Sequence, residues 1–90
     1  MKKTTLKKHL EKAFPGIPIF LSDYGLAVSA EDGYNLKNGL PIADYYDLPY
    51  YDPEEIFHQW GVNILLVNWL KKRGFSFEWI NPGCISIHEI

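Results

Sequence analysis

His9, His58, His88, Cys84 and Ser86 are the side chains that would first suggest catalysis or metal binding. Zinc sites gather three or four His, Cys or carboxylate ligands at clustered spacings. The three histidines instead fall on three different elements, and Cys84 has no partner thiol. Ser86-Ile87-His88 places a serine and a histidine on one face of a strand, because strand side chains alternate. A serine nucleophile also needs a third group to orient its base and a site for the oxyanion. The sequence indicates neither. The expectation is no catalytic residue, no metal and no cofactor.

Charge is distributed unevenly. Residues 1–12 carry Lys2, Lys3, Lys7, Lys8 and Lys12 against Glu11, whereas residues 23–55 carry eight acids against Lys37. Lysines on a terminal helix can contact phosphates, so a small nucleic-acid-binding protein is one alternative. No glycine-rich phosphate loop or RNA-stacking motif accompanies them. An acidic face that meets a basic partner is the other consequence of this asymmetry.

The most unusual segment is 43–52, with four tyrosines and three aspartates around Pro49. Tyrosine combines a large, fairly rigid contact surface with a hydroxyl, and interfaces are enriched in it. Asp44, Tyr45, Tyr46, Asp47, Tyr50 and Tyr51 are therefore the candidate partner-binding residues. The alternative is that the rings fold back over the core, covering an apolar face of the following helix that a second copy of the chain or a different protein partner would otherwise cover.

The elements around it follow from periodicity. Leu6, Leu10, Ala13 and Phe14 share one helical face, which predicts a helix over 4–14 with Thr4 or Thr5 as N-cap and Pro15-Gly16 as its end. Strands are expected at 17–22 and 26–30 around a turn at 23–25. Pro18 donates no hydrogen bond, so the first of these is expected to be an edge or to be unpaired at its start. Residues 31–52 form a long connection, with a short strand or turn around 40–43. Asp52-Pro53-Glu54-Glu55 has the composition of a helix start. It predicts a helix running to Arg73, either kinked at Gly61 or split into 53–60 and 62–73. Val62, Leu65, Leu66 and Trp69 would form one apolar stripe, and Phe57, Trp60, Ile64 and Val67 a second. Strands at 75–80 and 84–89 close the chain, with Phe75, Phe77, Trp79, Ile85 and Ile87 toward the core.

The order α-β-β-α-β-β implies a single α+β domain over residues 1–90. Its expected form is a four-stranded antiparallel sheet with two helices on one face and strand order 1-2-4-3. Residues 4–30 and 62–90 read as possible repeats. Leu26 and Val28 align with Cys84 and Ser86 and not with Ile85 and Ile87, so either the second hairpin has a bulge or the repeat is only a convergence of common parts. The run Leu70 to Gly74, entering strand–turn–strand with a late histidine, resembles the small mRNA-cleaving toxins with a double-stranded-RNA-binding-like fold. That resemblance implies a Gly-Ser-His-like turn and a basic surface. Here the turn is Asn81-Pro82-Gly83 and the balance is acidic, so no site residue is carried over.

A lone cysteine excludes an internal disulfide, and no apolar run approaches the length of a bilayer span, so the expected location is cytoplasmic. The expected function is a non-catalytic protein-interaction module that binds through the acidic, tyrosine-rich loop. Size and aromatic content give it the character of a small phage or mobile-element protein that modulates a host protein. An uncharacterised small enzyme is the second alternative.

Overall fold

The computed structural model describes residues 2–23 and 25–90. Helix α1 spans Lys3–Ala13 and buries Leu6 and Leu10. It starts one residue earlier than expected, with Lys2 as N-cap and no side-chain cap, so neither threonine serves that role. Phe14 then closes the helix by donating to the Leu10 carbonyl. Strands β1 (Ile19–Ser22) and β2 (Gly25–Ser29) form the first hairpin. Its expected turn includes Tyr24, which lies outside the described residues.

Strands β5 (Phe75–Asn81) and β6 (Cys84–Glu89) form the second hairpin. The sheet is antiparallel throughout with order β1-β2-β6-β5, so Pro18 does precede an edge strand and the expected order holds. Each hairpin follows a helix, and their second strands meet at the sheet centre. The register of β5 on β6 shifts between Trp79 and Asn81, which leaves Ile80 as an extra residue. That irregularity keeps Phe77 and Trp79 opposite Ile87 and Ile85 on the core face.

One face of the sheet carries the core. Leu6 and Leu10 of α1 join Leu66, Val67 and Leu70 of α3 (Ile64–Lys72) over Leu26, Val28, Phe75, Ile85 and Ile87. Removing the side chain of any of these leucines costs about 2–5 kcal/mol, because the hole left behind cannot fully close. Trp69 bridges the helices: its ring meets Phe14 edge-on, and Arg73 lies 3.9 Å over it. Among the described residues no helix is long and apolar enough to cross a membrane.

The connection departs from expectation in a definite way. No helix covers 53–60. A five-residue helix, α2 (Asp47–Tyr51), comes first, followed by a turn and a tight hairpin of β3 (His58–Gln59) and β4 (Val62–Asn63). Only then does α3 begin. Pro49 is compatible with α2 because it lies in the first turn, where its missing N–H would have no helical partner. The second apolar stripe therefore does not exist as a helix face. Val67 is in the core, whereas Phe57 and Trp60 sit on irregular backbone and are exposed.

Asn63 explains where α3 starts. Its side-chain oxygen accepts the Leu65 N–H, capping the helix. The same side chain exchanges two 3.0 Å hydrogen bonds with Asn38 and donates to the carbonyls of Leu40 and Pro41. Backbone pairing adds to this, since Asn63 N–H donates to Ile42 and Asp44 N–H to Gly61. Residues 42–44 thereby lie alongside β4, close to the short strand expected at 40–43, with Ala43 opposite Val62.

Candidate functional site

The tyrosine-rich segment is built outward from a polar frame. The Asp44 carboxylate accepts the N–H groups of Tyr46 and Asp47, which fixes the start of α2. Leu48 is the residue of α2 that turns inward. Asp52 ends the helix and organises the turn after it. Its two carboxylate oxygens take the N–H groups of Ile56 (3.1 Å) and Phe57 (2.7 Å). Partial desolvation raises the Asp52 carboxyl. The Phe57 and Ile56 amides and the nearby His58 outweigh that effect and leave it below the ordinary carboxylate value.

His58 is buried and locks this turn to the hairpin. Its Nδ1 accepts the Gly61 N–H (2.9 Å), so Nε2 carries the ring proton and donates to the Asp52 carbonyl (2.7 Å). Both ring nitrogens are thus used within the fold. The hairpin turn has positive φ at both central residues, +54° at Trp60 and +83° at Gly61. That is the signature of a type I′ turn. Gly61 is required twice over, because a Cβ there would stand 2.7 Å from the Asp44 carbonyl oxygen. Trp60 has no such excuse, and a bulky residue in this region costs roughly 1–2 kcal/mol. Its N–H donates to the Glu55 carboxylate (2.9 Å), and its carbonyl accepts the Trp79 indole N–H (2.6 Å).

On this frame the rings face solvent. Tyr45, Tyr46, Tyr50 and Tyr51 are 46, 69, 79 and 77 % exposed, and Trp60 is 72 % exposed. Ile56 and Phe57 are exposed beside them in the chain. Tyr45 touches Tyr46 and Trp79 edge-on, at 5.1 and 5.2 Å between centroids, and Tyr50 meets Tyr51 at 5.3 Å. Tyr46, Tyr50 and Tyr51 are therefore not folded back over the core, whereas Tyr45 rests edge-on against Trp79, which packs on the core. All six candidate residues, Asp44, Tyr45, Tyr46, Asp47, Tyr50 and Tyr51, lie in this one structure, with Asp44 used as a scaffold. Phe57 and Trp60 belong to it as well. Their assignment to a helix stripe conceals that, and the Trp60-Gly61 pair is the available turn signal.

The electrostatics are one-sided. No lysine or arginine occurs from Asn38 to Leu70, whereas Asp44, Asp47, Asp52, Glu54 and Glu55 fall within that span. The N-terminal lysines lie elsewhere. Helix α1 packs on β1 and β2, while Tyr45 reaches Trp79 of β5, the opposite edge strand. Lys7 is paired with Glu11 at 3.1 Å.

The other reactive side chains assemble less. Ser86 Oγ lies 2.6 Å from His88 Nε2, and Glu78 Oε2 lies 3.6 Å from that same nitrogen. A serine relay needs the hydroxyl and the carboxylate on opposite ring nitrogens. Burial, with Glu31 nearby, pushes the Cys84 thiol up and makes it a poor nucleophile. Among the described residues no three His, Cys, Asp or Glu side chains form a metal-binding group. An apolar cleft of about 340 Å³ between the end of α1 and α3, lined by Phe14, Tyr34, Leu36, Leu65 and Trp69 among others, shares no residue with segment 44–60.

Comparison with family models, curated proteins and solved structures finds no match to this chain.

Proposed function

We propose that the chain is a non-catalytic interaction module, acting in the cytoplasm, that binds a basic protein surface through segment 44–60. The observation that carries this reading is the exposure of four tyrosine rings on a backbone fixed by internal hydrogen bonds. A folded chain gains little by leaving such rings in water, and a binding surface gains most from aromatic contacts already held in place. The acidic span around the rings favours a partner of opposite charge. Modulation of a host protein by a small mobile-element protein fits this chemistry and is part of the proposal.

The test compares the immobilised chain with Tyr46→Ala and Tyr50→Ala variants. Proteins retained from lysate at low salt and released by added salt are identified, alongside thermal unfolding of each variant. The reading expects a basic protein retained by the parent chain and lost by both variants, with Tm unchanged within about 2 °C. Equal retention by parent and variants, or variants that unfold, contradicts it.

A further inference from the structure

We propose that Trp60 is the anchor of this surface and that its occupant is an arginine or lysine side chain of the basic partner. The inference rests on the reading of segment 44–60 as a binding surface and adds a residue and a contact chemistry to it. A type I′ turn asks for asparagine, aspartate or glycine at its first central position, because those residues tolerate positive φ. Trp60 occupies that position at φ +54°. Burial does not compensate for it, since the residue is mostly in solvent. A strained residue whose side chain contributes little to packing marks a site where something other than folding retains it.

The backbone around Trp60 is held from several sides. Glu55 takes its N–H, Trp79 donates to its carbonyl, and Gly61 is tied to both His58 and Asp44. The indole is thus presented on a rigid hairpin, which lowers the entropy lost when it is covered. An indole face attracts cations, and tryptophan does so better than tyrosine or phenylalanine. Segment 44–60 carries the complementary charge in its aspartates and glutamates and holds no lysine or arginine, and the Glu55 carboxylate sits at the turn itself, on the Trp60 N–H. The molecule already contains this pairing on another element, where Arg73 lies over the ring of Trp69.

The experiment uses the full chain and a twelve-residue peptide of alternating arginine and glycine, titrated at low salt, with a glutamate–glycine peptide as control. Trp60→Asn is expected to raise Tm by about 4 °C, because asparagine suits the turn. It is also expected to weaken arginine-peptide binding about five- to tenfold. Trp60→Tyr, which keeps a ring, should stay within about threefold of the parent. Tyr50→Ala combined with Tyr51→Ala should weaken binding at unchanged Tm. If the tyrosine pair weakens binding and Trp60→Asn does not, the anchor assignment falls and the surface reading stands. If neither changes binding, both fall. A lower Tm for Trp60→Asn overturns the inference that the turn is strained. Light scattering that shows a dimer dissociated by Trp60→Asn and insensitive to the peptide makes a second copy the occupant instead.

Discussion

The stretch from Asn38 to Asn63 contains two regions of opposite character. Around Asn38, Asn63, Asp52 and His58, polar groups turn inward and meet partners, and no buried side-chain nitrogen or oxygen among the described residues lacks one. Around Tyr46, Tyr50, Tyr51 and Trp60, apolar rings turn outward. This inverts the usual distribution, in which rings fill the interior and amides meet water. The difference separates roles. The polar region fixes the backbone, and that leaves the rings free of any duty to hold the fold together.

Substitutions in the two regions should therefore diverge. The largest effect belongs to Asn63→Ala, which removes a helix cap and leaves Asn38 without its buried partner. About 3 kcal/mol should be lost, seen in urea unfolding and as a Tm drop of more than about 10 °C. His58→Ala should cost about 2 kcal/mol, because it leaves the Gly61 N–H unpaired and removes one of the two hydrogen bonds at the Asp52 carbonyl, which keeps the Glu55 N–H. A smaller effect comes from acid. The Asp52 carboxyl sits below its ordinary value in the fold, so its contribution is complete above about pH 4 and is lost as pH falls through the lower folded value. Asp52→Asn should flatten that part of a stability–pH curve measured between about pH 5 and pH 2. Smallest of all, Tyr46→Ala or Tyr50→Ala should change stability by no more than about 0.5 kcal/mol. If the tyrosine variants lost as much as Asn63→Ala, the division between frame and surface would be wrong.

Much of this fold is legible in the sequence for simple reasons. Helical spacing of Leu6 and Leu10, alternation at Phe75 to Trp79 and the missing donor of Pro18 are local signals, and they lead to the correct sheet order. The failure at 53–60 has an equally specific cause. Asp52-Pro53-Glu54-Glu55 has the composition of a helix start, yet the Asp52 carboxylate reaches the amides of Ile56 and Phe57, four and five residues on. His58 and Asp44 then fix the Trp60-Gly61 turn through contacts that no local pattern encodes. Asn38 reads as a turn residue, and its pairing with Asn63, twenty-five residues away, is a tertiary fact. The tyrosine segment is recognisable from composition alone, because Asp and Tyr at that density suit a surface better than a core. Which way its rings point is not, since packing decides that.

If segment 44–60 is the binding surface, its rings are free in the isolated chain and covered in the complex. Hydroxyl-radical footprinting reads both states directly. The prediction is rapid oxidation of Tyr46, Tyr50, Tyr51 and Trp60 in the free chain, and protection of the same four once the captured basic protein is bound, while Trp69 is unchanged. Slow oxidation of the four in the free chain, or a complex that leaves them as reactive as before, would contradict the claim that this segment is the binding surface.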